Sequence, residues 1–413
     1  MPVMDTVLIN EVWRPYYGKL VKGFQVLTPE WKFLKRLENF DQLSPRQIVW
    51  PVDLVTGGGI AMTYDAGPTA RATSNAPVEA TDTWKHMTGR FEVSYDVLTM
   101  NNSSKVARQQ IVKQLRYQVR DKLMSFKKRM SYGFYGHNDG VLALINSAAG
   151  APTYTLKDRY GETGLATDVS WLTAGKDYVA VYEPGVGLRT NGIQKVTAVN
   201  RATQAITLAG SPTSAATGDQ IVLANHIDGT THDLNRGMNG MLDLTSAATL
   251  HNIATSAQPD WSASVDEALS AALSGAELYK AFELCEKESG YRPDFAWTTI
   301  GAIAQAGGSE LDQRRYSDKE DTMRLGFRKL NVMGVQTEGM LFCPPGHFFA
   351  GSSKALKKLS PDEDVKVVQT GGPQGGFVYY GDTLGYFKDQ VFRVQLTCKS
   401  RKSLIHWTAV TEA

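Results

Sequence analysis

Between Lys105 and Phe134 the apolar positions fall on one face. Ile111, Leu115, Val119, Leu123, Phe126, Met130 and Phe134 are spaced by four, four, four, three, four and four residues, the step of a helix with one buried stripe. Asn101 to Ser104 offer N-caps and Gly136 a stop. A helix of roughly thirty residues is about 45 Å long, a rod that few compact domains need. Its other faces carry Lys105, Arg108, Lys113, Arg116, Arg120, Lys122, Lys127, Lys128 and Arg129 against the single acid Asp121. Such a face is either solvated or set against a polyanion or acidic neighbouring subunits.

Elsewhere the period is two. In "GRFEVSYDVL", Phe91, Val93, Tyr95 and Val97 alternate with Arg90, Glu92, Ser94 and Asp96, a half-buried strand. The stretch before it, "VTGGGIAMTYDAGPTARATSNAPVEATDTW", is poor in large apolar residues. Together they predict a long two-stranded β excursion with an irregular tip, marginal unless it rests on a partner. Near the C-terminus Phe392, Val394, Leu396 and Cys398 alternate with Arg393, Gln395, Thr397 and Lys399, which predicts a long final strand.

Residues 1 to about 47 are aromatic-rich with weak periodicity up to Pro29. That suits an extended arm lying on a surface supplied by something else. "PEWKFLKRLENF" then reads as a short helix opened by Pro29. Between about 150 and 228, "KDYVAVYEPGVG", "GIQKVTAVN", "AITLA" and "GDQIVLAN" are short strands divided by Asn, Gly, Pro and Asp turns. They predict a small barrel or sandwich inserted into another domain. The remainder is mixed α/β. A capping box of Ser264 with Glu267 marks a helix start, Leu278, Phe282 and Cys285 a buried stripe, Gly290 a stop, and Asp294 to Thr299 a strand.

The length of 413 residues allows two or three domains, and a net charge of +2 means that any electrostatic partner must be met by a local patch. Cys285, Cys343 and Cys398 lack CxxC spacing, which predicts buried free thiols rather than a disulfide framework or a zinc site. No apolar run is long enough to span a membrane, and the N-terminus lacks a signal-peptide pattern.

Candidate chemistry is thin. "VTGGGIAM" lacks the Lys-Ser/Thr of a phosphate loop. His226, Asp228, His232 and Asp233 fall in a turn-rich stretch without helical spacing, and Asp362, Glu363 and Asp364 lack the alternation of a calcium loop. Both are expected to be solvated. No GxSxG, HExxH or GxGxxG occurs. The expectation is a protein without catalytic residues, cofactor or metal.

The order of elements resembles the major capsid proteins of tailed bacteriophages. "PEWKFLKRLENF" is similar to the segment before that family's extended loop, and "TWKHMTGRFEVSYDVL" to the loop's return strand. "VRDKLMSFKKRMSYGFYGHNDGVLALI" is similar to the end of its spine helix. "YVAVYEPG…KVTAVNRATQAITLAG…TGDQIVLAN" resembles the β insertion of a subset, and "RGMNGMLDL" the segment that follows it.

The resemblance implies an α+β chain with the Hong Kong 97-type capsid fold and an inserted small β-barrel. Its parts would be an N-terminal arm (1–47), an extended β-hairpin loop (48–98), the spine helix of a peripheral domain (99–136), an axial domain (137–149 and 229–350), the barrel (150–228) and C-terminal strands (351–413). It implies an icosahedral head shell of hexamers and pentamers around double-stranded DNA, assembled in the host cytoplasm. Expected partners are a separate scaffolding protein, since the loop-preceding segment starts by about residue 29, and portal and decoration proteins. Expected inter-subunit contacts are Trp13, Tyr16, Tyr17, Phe24, Tyr64, Trp84, Lys85, Arg116 and Arg120. Some members cross-link a loop lysine to a neighbour. Lys85, the only lysine from Ile48 to Leu98, lies on the return strand, so no such cross-link is expected. The competing readings are a cargo-enclosing cellular nanocompartment of the same fold, and a carbohydrate-binding or hydrolytic enzyme whose β module binds the ligand.

Overall fold

The computed structural model describes residues 29–40, 47–54, 77–94, 123–137, 139–147, 152–160, 172–175, 177–224, 237–311, 329–361, 366–367, 378–380 and 385–411. In chain order these form helix α1 (Pro29–Arg36), strands β1 (Ile48–Val52), β2 (Val78–Asp82) and β3 (Lys85–Ser94), and the described part of helix α2 (123–133). Then come β4 (Val141–Ser147), β5 (Thr153–Asp158), β6 (Tyr178–Glu183), β7 (Gly187–Asn200), β8 (Ala205–Leu208) and β9 (Gln220–Ala224). Helix α3 (Met241–Ser246), β10 (Thr249–Leu250), β11 (Ile253–Ala254), β12 (Val265–Ala268), helix α4 (Gly275–Ser289), β13 (Phe295–Thr298) and helix α5 (Ile300–Leu311) follow. The chain continues with β14 (Lys329–Val332), β15 (Val335–Gly339), β16 (Phe348–Gly351), β17 (Leu356–Leu359), β18 (Lys366–Val367), β19 (Val378–Tyr380), β20 (Gly385–Cys398) and β21 (Leu404–Thr408).

The body is a six-stranded mixed sheet in the order β12-β21-β16-β13-β15-β14. Its central strands β21, β16 and β13 are buried on both faces, so alternation sorts their side chains between two cores. Ala296, Phe348, Ala350, Ile405 and Trp407 meet α4 and α5 on one side. Phe295, Trp297, Phe349 and Leu404 face the larger core on the other. Helix α4 buries Leu278, Phe282 and Cys285 and stops at Gly290 in a left-handed conformation, as its sequence predicts. Its start differs from the expected capping box at Ser264. Ser274 is the N-cap, accepting from the Glu277 amide at 3.2 Å, and Val265 to Ala268 pair in parallel with β21 instead. Pairing with a buried strand outweighs the local capping signal.

Helix α1 does not belong to an arm awaiting a foreign surface. Trp31, Leu34 and Leu37 are buried in this chain's own core, and Phe33 makes edge contacts with Trp297, Phe295 and Phe134 at 4.7, 5.2 and 6.0 Å. Strands β1 and β2 pair antiparallel over five positions, Ile48↔Asp82 to Val52↔Val78, and form the root of the loop between them. The return path then changes partner. β3 does not extend that hairpin; it runs antiparallel to β20 over ten positions, from Lys85↔Val394 to Ser94↔Gly385. Gly89 permits this. A Cβ there would lie 2.8 Å from the Phe126 ring of α2, so only glycine lets β3 pass so close beneath the helix.

The expected β module is a closed barrel, β4-β5-β8-β7-β6-β9. Its extent corrects the expected boundary at 150. Val141–Ser147, assigned from sequence to the axial domain, is a barrel strand paired with both β5 and β9. Ala143 and Ile145 point into the barrel with Tyr154, Leu156, Val179, Val181, Val196, Ile206, Leu208 and Ile221. These side chains fill the interior as a packed core rather than a ligand chamber.

Candidate functional site

Among the described residues no catalytic constellation emerges. The polar chemistry of the structure is concentrated where the extended loop, the barrel and the body join, and its role there is mechanical.

At the loop root, Asp82 ends β2 and its carboxylate collects donors from the adjacent Thr83 and from two distant segments. Asn239 Nδ2 donates to Oδ2 at 2.9 Å, and Gln395 Nε2 and the Thr83 amide donate to Oδ1 at 3.1 and 2.7 Å. His251 Nδ1 lies 2.8 Å from Oδ2, a close polar contact without the alignment of a good hydrogen bond. His251 Nε2 accepts from the Cys398 amide at 3.2 Å, which puts the ring proton on Nδ1, toward the carboxylate. Gln395 Oε1 in turn accepts from the Asn239 amide at 2.8 Å. These groups, with Thr81, Lys85 and Asp243, line a small polar hollow. Only a side chain that accepts on both oxygens satisfies this set of donors. Alternation along β20 predicted a polar outer face at Gln395 and Thr397. Both are buried, because β20 is covered by the Asn239 segment on the side its pattern marks as wet.

A second joint is Arg401, 1% exposed. Asp266 and Asp243 act on it at longer range, but its hydrogen bonds go to backbone. Its guanidinium donates to the carbonyls of Leu244 (2.8 Å), Thr245 (2.7 Å), Ala247 (3.0 Å) and Trp261 (2.9 Å), satisfying the C-terminal carbonyls of the short helix α3. Burial pulls its pKa below the ordinary guanidinium value. Helix α3 begins at Gly240, where a Cβ would lie 2.3 Å from the Gly136 carbonyl oxygen; the Met241 amide donates to Phe134 O at 2.8 Å across this approach.

A third is a chain of rings in the body. His347 Nδ1 meets His406 Nε2 at 2.9 Å, and His406 Nδ1 meets Asp266 at 2.7 Å. Burial, then the neighbouring His406, lowers His347 to a pKa of about 4. The rings stack on Phe349, and no nucleophile stands in line with them among the described residues, so they serve as packing with satisfied polar edges.

The barrel is fastened to the end of α2. Tyr132 Oη donates to Leu142 O at 2.6 Å, Arg159 donates to Tyr132 O at 2.7 Å and lies 4.0 Å over its ring, and Arg129 meets Asp177 at 3.6 Å. Burial lowers the Arg129 pKa, and Asp177 opposes that shift.

Of the expected contact residues, Trp84 is half-buried against the chain's own core, and Lys85 opens β3 opposite Val394 at the polar hollow. Trp13, Tyr16, Tyr17, Phe24, Tyr64, Arg116 and Arg120 lie outside the described residues, as do His226, Asp228, His232, Asp233, Asp362, Glu363 and Asp364. The sequence reading missed Asp82, Asn239, His251 and Arg401, which no local pattern singles out. The three cysteines are free and buried, as expected, and burial pushes Cys398 up to about 12. Among the described residues no group of three or more His, Cys, Asp or Glu is placed to hold a metal ion, and no helix is long and apolar enough to cross a membrane.

Comparison with solved structures places this arrangement. A chain of the cyanophage A-1(L) capsid asymmetric unit superposes with a TM-score of 0.54 at 15% identity, over 95% of this chain and 96% of that one. The capsid of an empty GTA particle gives 0.46 at 11% identity, over 96% and 95%. The holo-SrpI encapsulin complex of Synechococcus elongatus PCC 7942 gives 0.42 at 12%, over 99% and 96%. No protein-family model and no curated protein matches the sequence. The first superposition fixes the fold: this is an α+β chain of the Hong Kong 97 type, with a closed six-stranded barrel in it.

Proposed function

We propose that this chain is the major capsid protein of a tailed bacteriophage, forming hexamers and pentamers of an icosahedral shell around double-stranded DNA. The observation that carries the reading is the correspondence with the cyanophage A-1(L) capsid chain over 95% of this chain and 96% of that one. The joints agree with it. A two-stranded root fixed by a buried polar network gives a long loop a defined direction, and direction is what a heterologous contact on the next subunit needs. Apolar area buried there at roughly 25 cal/mol per Å² stabilises the lattice before ordering costs are met.

In this reading the loop of residues 48–98 and the segment before Pro29 lie over neighbours, and the contacts fall at Trp13, Tyr16, Tyr17, Phe24, Tyr64, Trp84 and Lys85. The basic stretch from Lys105 to Arg129, with Arg116 and Arg120, meets DNA or acidic neighbours. The axial domain takes the body sheet, and the barrel is an accessory domain on its outside. A separate scaffolding protein, a portal and decoration proteins complete the partners, with assembly in the host cytoplasm and the product in the virion. Enzymatic activity is no part of the role.

Purified chain, imaged by negative-stain microscopy across a concentration series with a crowding agent, is expected to give closed particles or rings of five and six. A monomer that persists at every concentration, in rings of no kind, overturns the proposal.

A further inference from the structure

Glu30 is 1% exposed, in the first turn of α1, and no cation among the described residues pairs with it. Its Oε1 is 3.4 Å from Tyr135 Oη, and its Oε2 has no hydrogen-bond partner. The polar groups that face it come from the end of α2 and the turn after it, Ser131 and Tyr135; behind Tyr135 stand Cys343 and Tyr160. All are uncharged in their ordinary forms, and no cation among the described residues acts on the carboxyl. Around it Trp31, Leu34 and Leu37 hold α1 in the core. A carboxylic acid is tolerable there; a carboxylate with an orphaned oxygen is not.

We propose that Glu30 is a pH-sensitive latch: protonated, it lets α1 dock against the end of α2 and the body core, and its ionisation releases α1 with the chain that precedes the extended loop. Burial is the largest influence on the group and raises it from 4.5 to about 7, against opposing bonds from its own backbone, Ser131 and Tyr135. A carboxyl whose docked pKa is raised binds its proton more tightly docked than released. Docking is therefore strongest below pH 4.5, weakens about tenfold per pH unit from there to about 7, and levels off above. The separation of 4.5 and 7 corresponds to about 300-fold in the docking equilibrium. This latch acts within one chain and does not depend on shell formation.

The test is hydrogen–deuterium exchange of the full-length chain from pH 4.5 to 8.5, corrected for intrinsic rates, read at residues 29–40 with the barrel as internal reference. In the wild type, protection of 29–40 should fall steeply to about pH 7 and then stay level, while the barrel changes little. Glu30→Gln, which keeps the shape without the charge, should remove that dependence and hold α1 protected at pH 8. Glu30→Met, an apolar replacement of similar length, should do the same. Flat protection in the wild type, or an unchanged pH profile in both variants, overturns the latch.

Discussion

In the barrel, each strand has a hydrogen-bonded neighbour on both sides drawn from residues 141–224. At the loop root, apart from the adjacent Thr83 amide, the groups that donate to Asp82 lie 157 and 313 positions away. The barrel closes its backbone on itself, packs its own core and touches the rest mainly through Tyr132, Arg129 and Arg159. Beyond its own β1–β2 pairing, the root takes its side-chain restraints from elsewhere in the fold. The difference teaches what each region is for. A closed sheet with no free edge adds to the chain without altering its lattice elements. A root assembled from distant segments is rigid only when the whole body is folded, so the loop gains its direction last.

Arg401→Met tests the dependence of the root on the body most severely. It leaves the carbonyls of Leu244, Thr245, Ala247 and Trp261 buried without donors, at a cost of at least about 4 kcal/mol. Hydrogen exchange should show protection lost across β13, β16 and β21 while β6 to β9 keep theirs. Equal loss in the barrel would erase the distinction between the two regions.

Asp82→Asn probes the root alone. The amide brings two donors into a site already filled by Asn239 Nδ2, Gln395 Nε2 and the Thr83 amide. The expected cost is about 3 kcal/mol in urea denaturation, with exchange rising first in β1, β2 and the Asn239 segment. A change below about 0.5 kcal/mol would show that apolar packing around Trp50 and Ala80 fixes the loop without the polar network.

Excision of 141–224, with the ends joined by a short Gly-Ser linker, is expected to have the smallest effect. Val141 pairs with Val222, so the cut ends are neighbours. The melting temperature of the remainder should stay within about 5 °C, and failure of the remainder to fold would make the barrel an integral part of the body.

Much of this architecture was legible in the chain. The buried positions Phe126, Met130 and Phe134 in and just after α2, the stripe and stop of α4, the long strand β20 with its buried Phe392, Val394, Leu396 and Cys398, and the inserted β module all follow from local period and turn chemistry, and the structure shows each of them. The reading went astray where the deciding partner was remote. The Ser264 capping box lost to β21, β3 left its hairpin for β20, and β4 joined the barrel.

By itself the sequence determined which residues turn inward and where elements stop, because side-chain periodicity and caps act over a few positions. The tertiary structure alone decided what lies on the second face of a strand and which donors a buried carboxylate meets. Gln395 reads as surface from its neighbours and becomes core only when Asn239 closes over it. Glu30 reads as an ordinary acid in a helix's first turn and becomes an uncompensated buried group only when Tyr135 and the body core enclose it. Burial is a property of the assembled fold, and it sets the strength and the protonation of every polar group described above.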